Sequence, residues 1–353
     1  MRVMQYARLS LSALVVLGFA ACGKDTGPSE FDPQGTTADI AEAQNAFVSP
    51  QAESYAAVGA DISTVLNGAP VVASSAALAS PRPSAASAAY ARQLVRLLPG
   101  DGPRIQASVA AIPSEVLGTT FVWDETTDVY TASELSGAPS NGVRFVLYAI
   151  DPLTLRPAEP VVEVGYVDVI DQSTSTTIAF RVKVVGGSVV YLDYGVSASG
   201  SESGGTITVS GFAFNGNARA DFTLKNSVSQ SSGGLLLSLD YQLSVPSRDV
   251  SLDWTATFAN ISDSEVAVTL DLVINGPNGT VRLVGTYGAT GGTFTVKVNG
   301  SLFATVSLEG SSAVITGANG ASLTADEEQT LQTILDYFDQ SLMAFTDLLA
   351  PIS

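Results

Sequence analysis

The chain has 353 residues, with 16 basic and 34 acidic side chains, no histidine and a single cysteine, Cys22. A formal charge of −18 repels nucleic acid and anionic lipid headgroups alike. The missing histidine removes histidine triads, histidine general bases and the usual zinc or iron sites, and one cysteine allows no disulfide within the chain.

Arg2 and Arg8 precede an uncharged, mostly apolar run from Leu9 to Ala21. That run suits the apolar core of a secretory signal and is short of the roughly 20 residues a spanning helix needs. It ends in Phe19-Ala20-Ala21-Cys22, which resembles the lipobox of bacterial lipoproteins. The resemblance implies cleavage before Cys22 and acylation of its sulfur and amine, with Phe19 standing where an aliphatic residue is commoner. Two or three acyl chains anchor stably where one binds only marginally. Residues 1–21 are therefore expected as signal peptide. Their removal takes two Arg and no acid, leaving 14 basic against 34 acidic side chains, a net −20. Residues 22–37, bearing Gly, Pro and Ser, read as a flexible tether. By resemblance to enterobacterial sorting rules, Gly23 after the cysteine favours the outer membrane.

Residues 38–117 read as a helical and linker region. Ala38 to Phe47 is a weak helical stretch. Ser49-Pro50 is a cap and first-turn pair, and Tyr55, Val58, Ile62 and Val65 follow at helical spacing before Asn67-Gly68 stops the helix. Residues 69–84, rich in Ala, Ser and Pro, read as a linker, and 85–98 as a further helix.

From about Gly118 the pattern changes to strands, expected over a domain of 118–353. Val143 to Ile150 and Val161 to Ile170 are β-rich apolar runs. Leu235, Leu237, Leu239, Tyr241, Leu243 and Val245 then alternate with Ser238, Asp240, Gln242 and Ser244. The same alternation runs from Val250 to Phe258 and from Val266 to Ile274. Period two with one apolar and one polar face means antiparallel strands solvated on one side. Glycine- and asparagine-rich dipeptides, from Gly186-Gly187 through Gly204-Gly205, Asn215-Gly216, Asn275-Gly276 and Gly291-Gly292 to Asn299-Gly300, mark hairpin turns. The expectation is a meander of about ten or more strands.

The chain closes with a helix expected at 325–349. Thr324 and Glu327 form a capping box, and Leu331, Leu335, Phe338, Leu342, Phe345 and Leu349 form an apolar stripe. The other face offers Asp336, Asp339 and Asp347 and no cation. A membrane-surface helix would be basic, so this stripe is expected to cover the sheet.

Carboxylates are the recurring candidates for chemistry: Asp124, Glu125 and Asp128 in one expected loop, Asp168 and Asp171 in another. None has the spacing of an EF-hand loop, and none is marked as a glycosidase pair. Gly200-Ser201-Glu202-Ser203-Gly204 places Glu where a nucleophile elbow needs serine. Asn260, Asn278 and Asn299 begin N-x-S/T triplets and read as turn residues. Phe121, Trp123, Tyr130, Phe145, Tyr148 and Tyr166 cluster in the first strands; exposed, such rings would suit a carbohydrate, but strands also use them for packing. No catalytic residue, metal or cofactor is expected.

The expected fold is mainly β, a large twisted antiparallel meander whose apolar face is covered by the N-terminal helices and one C-terminal amphipathic helix. In pattern, across about residues 118 to 350, it is similar to the half-barrels of the LolA/LolB group of lipoprotein carriers and chaperones. No motif of that group matches residue by residue. The chain as a whole resembles envelope lipoproteins of environmental bacteria. The expected function is a non-enzymatic, membrane-anchored binding or scaffolding module. Alternatives are a carrier holding a lipid or other hydrophobic ligand between sheet and helices, and, third, a carboxylate-only hydrolase. The expected partners are the membrane through lipid on Cys22 and a hydrophobic ligand or envelope protein, with no nucleic acid.

Overall fold

The computed structural model describes residues 31–67, 91, 112–201, 204–231, 234–259, 266–288, 290–309 and 312–349. The expected signal peptide, Cys22, most of the tether and the 69–84 linker lie outside the described residues. So does the expected helix over 85–98, apart from Ala91, which is helical and buried.

Helix α1 spans Pro33–Asn45 and α2 spans Pro50–Asn67. The start of α1 corrects the tether boundary, since residues 33–37 are helical. Asp32 is its N-cap, accepting a hydrogen bond from the Gly35 N–H at 2.9 Å, and Pro33 fills the first turn. Asp-Pro is as good a start signal as the Ser49-Pro50 pair that opens α2, where Ser49 Oγ accepts from the Ala52 N–H at 3.0 Å.

Fifteen strands follow among the described residues. The first seven are β1 (Thr120–Asp124), β2 (Val129–Ser133), β3 (Gly142–Tyr148), β4 (Glu163–Asp171), β5 (Ile178–Gly186), β6 (Val189–Ser201) and β7 (Gly204–Phe214). Then come β8 (Arg219–Ser231), β9 (Gly234–Val245), β10 (Val250–Ala259), β11 (Ala267–Gly276), β12 (Gly279–Gly288), β13 (Gly291–Val298), β14 (Ser301–Glu309) and β15 (Ser312–Gly317). Helix α3 covers Ala325–Leu348.

All fifteen strands form one open sheet, in sequence order from β3 to β15 with β1 and β2 at the other edge. Every neighbouring pair is antiparallel except β1 and β3, which run parallel through Thr120 opposite Arg144 and Phe121 opposite Phe145. That contact departs from a pure meander. After the β1–β2 hairpin the chain returns along 134–141 and lies on the free side of β1, so β3 enters in the same direction as β1.

Several expected turn dipeptides fall inside strands. Gly204-Gly205 begins β7, Asn275-Gly276 ends β11 and Gly291-Gly292 begins β13. In such hairpins the glycines are the last paired residues, as Gly288 opposite Gly291 illustrates. Asn299 and Gly300, with φ of 50° and 81°, do form the two-residue turn their sequence announces.

The inner face of the sheet carries the core. Leu237, Leu239, Tyr241, Leu243 and Val245 of β9 are all buried, as are Val250, Leu252, Trp254, Ala256 and Phe258 of β10. Two inner-face glycines make room for rings on the next strand. A Cβ on Gly211 would lie 2.5 Å from Tyr194 Cβ, and one on Gly285 would lie 2.8 Å from the Phe294 ring.

The N-terminal segment crosses this face. Phe31 meets Phe303 of β14 with ring centroids 4.8 Å apart, Phe47 meets Phe222 of β8 at 5.5 Å, and α2 packs over β3 to β6. Helix α3 lies beside α1 and over β9 and β10. Phe338 sits 4.8 Å from Trp254, and Phe345 sits 4.6 Å from Tyr241. Polar groups also join α1 to α3. Gln44 Nε2 donates to Gln340 Oε1 at 2.7 Å, and Thr330 Oγ1 donates to the Pro33 carbonyl at 2.9 Å. The capping box is present, with Glu327 Oε2 accepting from the Thr324 N–H at 2.7 Å and Thr324 Oγ1 accepting from the Glu327 N–H at 3.3 Å.

Candidate binding surface

The two faces of the sheet offer different chemistry. Under α3 the inner face is filled by protein rings: Tyr241, Trp254, Phe338 and Phe345 form a cluster with centroid separations from 4.6 to 5.8 Å. Polar groups within this layer are used for joining elements. The Tyr55 and Tyr194 hydroxyls are 2.5 Å apart, and Tyr194 donates to the Leu348 carbonyl at 3.1 Å. Burial pushes the Tyr241 hydroxyl well up and that of Tyr337 up to about 12, so both stay neutral at any physiological pH. Trp254 Nε1 is buried with no hydrogen-bond partner among the described residues, a cost that the ring's packing has to outweigh.

Of the carboxylates singled out from sequence, Asp124, Asp168 and Asp171 are held in structural roles. Asp124 closes β1, and its oxygens accept from the Thr126 N–H and the Thr127 hydroxyl, both at 2.8 Å. Those bonds hold its carboxyl below the usual range, while Glu125 and Asp128 stay exposed in the turn. Asp168 lies in β4, not in a loop as expected, because the strand continues to Asp171. Arg144 of β3 forks onto Asp168 at 2.7 and 2.9 Å and stacks 3.7 Å over the Tyr166 ring. Asp171 Oδ1 accepts from the Ser173 N–H at 2.8 Å. Among the described residues no group of three Asp, Glu or Cys is arranged to hold a metal. The Gly200–Gly204 stretch straddles the β6–β7 turn, and Glu202, Ser203 and Asn260 lie outside the described residues. Asn278 and Asn299 occupy turns as expected.

Four of the six early aromatics pack against one another. Phe121 stacks on Phe145 at 4.9 Å, Tyr130 meets Phe145 edge-on at 5.5 Å and Trp123 edge-on at 5.5 Å. Tyr130 also donates to the Val146 carbonyl at 2.8 Å. Asp61 of α2 reaches this end of the sheet. Burial raises its carboxyl above 3.8, opposed by the charge of Arg156, whose guanidinium lies over Trp123.

The outward face is where exposed side chains are arrayed in order. Strand pairing places Thr257, Thr269, Thr286 and Thr293 directly opposite one another across β10 to β13. The rank continues through Ser307 on β14. In the other direction it runs through Ser238 on β9 and Ser227 on β8 to Thr206 on β7 and Ser199 on β6. Nine adjacent strands thus carry a hydroxyl in one register. Residues two positions along the same strands add Thr208, Thr255, Thr295 and Thr305. Ser199, Ser238, Thr269, Thr286 and Thr293 are exposed, and Thr206 bonds Ser227 at 3.3 Å.

Charge divides between the layers in the same way. Helices α1, α2 and α3 carry ten Asp or Glu and no Lys or Arg. Of the nine described cations, seven point outward from the sheet, and most meet a carboxylate there. Arg181 forks onto Asp193, Arg282 onto Asp271, Arg144 onto Asp168, and Arg219 onto Asp221. Lys225 stands opposite Asp240. Lys183 and Lys297 are the other two. The strand face is therefore near charge balance in a strongly acidic chain.

Sequence reasoning identified the two faces but missed the rank. Its signal was the T-x-T and T-x-S triplets at 255–257, 293–295 and 305–307; which of these align depends on strand register. Comparison with protein-family models, with curated proteins and with solved structures finds no match. No described helix is long and apolar enough to cross a membrane.

Proposed function

We propose that the chain is an exported lipoprotein held at the bacterial envelope, with the outer membrane as destination, by lipid on Cys22, and that its folded part is a non-enzymatic binding or scaffolding module. The observation that supports this most is the contrast between the sheet's faces. The inner one is packed with protein rings, while the outer one presents a broad, charge-balanced polar surface on rigid strands. The acidic helices make an electrostatic membrane-binding patch a poor alternative to the lipid. The carrier reading needs space between sheet and helices, and the ring contacts beneath α3 work against it. The hydrolase reading needs two carboxylates facing a common substrate; Asp124, Asp168 and Asp171 are tied up in turns and an ion pair, and Glu125 and Asp128 sit on an exposed turn.

Two measurements test this reading. Cells expressing the full chain incorporate radiolabelled palmitate, and Cys22→Ser abolishes the labelling; persistent labelling in the variant overturns the anchor. A photo-crosslinking residue at Thr286, on the outward face, forms adducts in intact cells, whereas one at Gln332 on α3 does not. Equal adduct formation at both positions, or at neither, overturns the outward face as the binding surface.

A further inference from the structure

We infer that the rank of hydroxyls from Ser199 to Ser307 is a docking track for a neutral glycan chain lying across the strands; this rests on the reading of the outward face as the binding surface. The track is regular because the backbone makes it so. Neighbouring strands are about 4.8 Å apart, so eight steps carry one hydroxyl per strand over about 38 Å. That advance is close to the length of one pyranose ring in an extended polysaccharide. Each ring therefore meets a side chain that both donates and accepts.

Charge selects the partner. No residue of the rank is ionised, and the face around it is balanced by the Arg181–Asp193 and Arg282–Asp271 pairs. A nucleic acid or an acidic polymer would gain nothing there and would be repelled by the rest of the chain. A neutral polyhydroxylated chain finds hydrogen-bond partners without displacing a counterion. The right-handed twist of a sheet turns successive strands by about 20°. A flexible polymer can follow that rotation over nine strands, and a rigid planar lattice such as ice cannot. On β7, β10, β13 and β14 a second threonine stands two residues from the rank. It offers a bonding group to the second edge of a ring.

The test uses the full purified chain in detergent with three soluble neutral glycans, namely mixed-linkage β-glucan, xyloglucan and galactomannan. Binding is read by affinity electrophoresis and calorimetry. The chain is expected to bind at least one of them, with affinity unchanged between 0.05 and about 0.5 M salt, since no ion pair is involved. The triple variant Thr269→Val/Thr286→Val/Thr293→Val keeps shape and strand preference while removing three hydroxyls. It should weaken binding at least about tenfold. The matching Thr→Ser triple, which restores the hydroxyls, should bind within about threefold of the parent. Circular dichroism melting of both variants separates lost binding from lost fold. Binding to none of the three glycans, or undiminished binding by a folded Val triple, overturns the glycan assignment. If protein adducts form at Thr286 in that case, the outward face remains the binding surface with a different partner; if none form, both readings fall together.

Discussion

Tyr55 of α2 and Tyr194 of β6 meet hydroxyl to hydroxyl at 2.5 Å beneath the helical layer, and the Tyr194 O–H donates to the Leu348 carbonyl at 3.1 Å. One buried side chain thus links the N-terminal helix, the sheet and the end of α3. Tyr194→Phe should cost about 1–3 kcal/mol and loosen the last turn of α3. Faster hydrogen exchange at 345–349, with strands β8 to β12 unchanged, is the expected readout.

The ring cluster under α3 predicts a larger effect. Trp254 is 2 % exposed and meets Tyr241, Phe338 and Phe345. Trp254→Ala should destabilise by about 3–5 kcal/mol, measured by urea unfolding. A change below about 1 kcal/mol would mean that the layer is not packed there, which would reopen the carrier reading.

Two ion pairs of similar geometry should differ in worth. Arg282 and Asp271 are well exposed, at 50 % and 33 % of their side chains, whereas Arg144 and Asp168 are at 19 % and 12 %. Arg282→Met should cost less than about 1 kcal/mol. Arg144→Met strands a buried carboxylate and loses the stack on Tyr166, so about 2 kcal/mol or more is expected. Equal losses in chemical denaturation would contradict this ordering.

Asp61 sets a pH dependence. Its carboxyl is raised above 3.8 by burial, with Arg156 opposing. The folded state therefore prefers the protonated form. The destabilisation is absent at pH below the unfolded value, grows as pH rises through the raised folded value, and is complete at neutrality. Asp61→Asn should raise the melting temperature at pH 7 by up to a few degrees, an effect of about 1 kcal/mol at most because the group is partly screened by solvent. The two proteins should converge near pH 3. A gap that persists there would assign the effect to something other than ionisation.

The capping box offers a local check. Thr324→Ala removes the acceptor of the Glu327 N–H and the donor to Glu327 Oε2, and should cost about 1 kcal/mol by thermal unfolding.

Much of the fold was legible because it is written in short periods. Alternation from Leu235 to Val245 assigned the buried face of β9 residue by residue. The stripe from Leu331 to Leu349 lies against the core, with Leu331, Phe338, Leu342, Phe345 and Leu349 buried. Boundaries were less legible. The Asp32-Pro33 start signal of α1 lies inside the expected tether, and several expected glycine turns are the end residues of strands. The Arg144–Asp168 pair spans 24 positions, beyond any local pattern.

By itself, then, the sequence determined the class of the fold, which face of each strand is apolar, the caps of α2 and α3 and the exclusion of histidine chemistry. These follow from side-chain type at intervals of two, three or four residues. Only the tertiary structure decided that β1 lies parallel to β3, that rings from α3 fill the layer against Tyr241 and Trp254, and that Thr257, Thr269, Thr286 and Thr293 stand in one line. Register is the physical reason. Slipping one strand by two residues leaves every hydrophobic pattern intact, yet breaks the line of hydroxyls and separates Arg144 from Asp168.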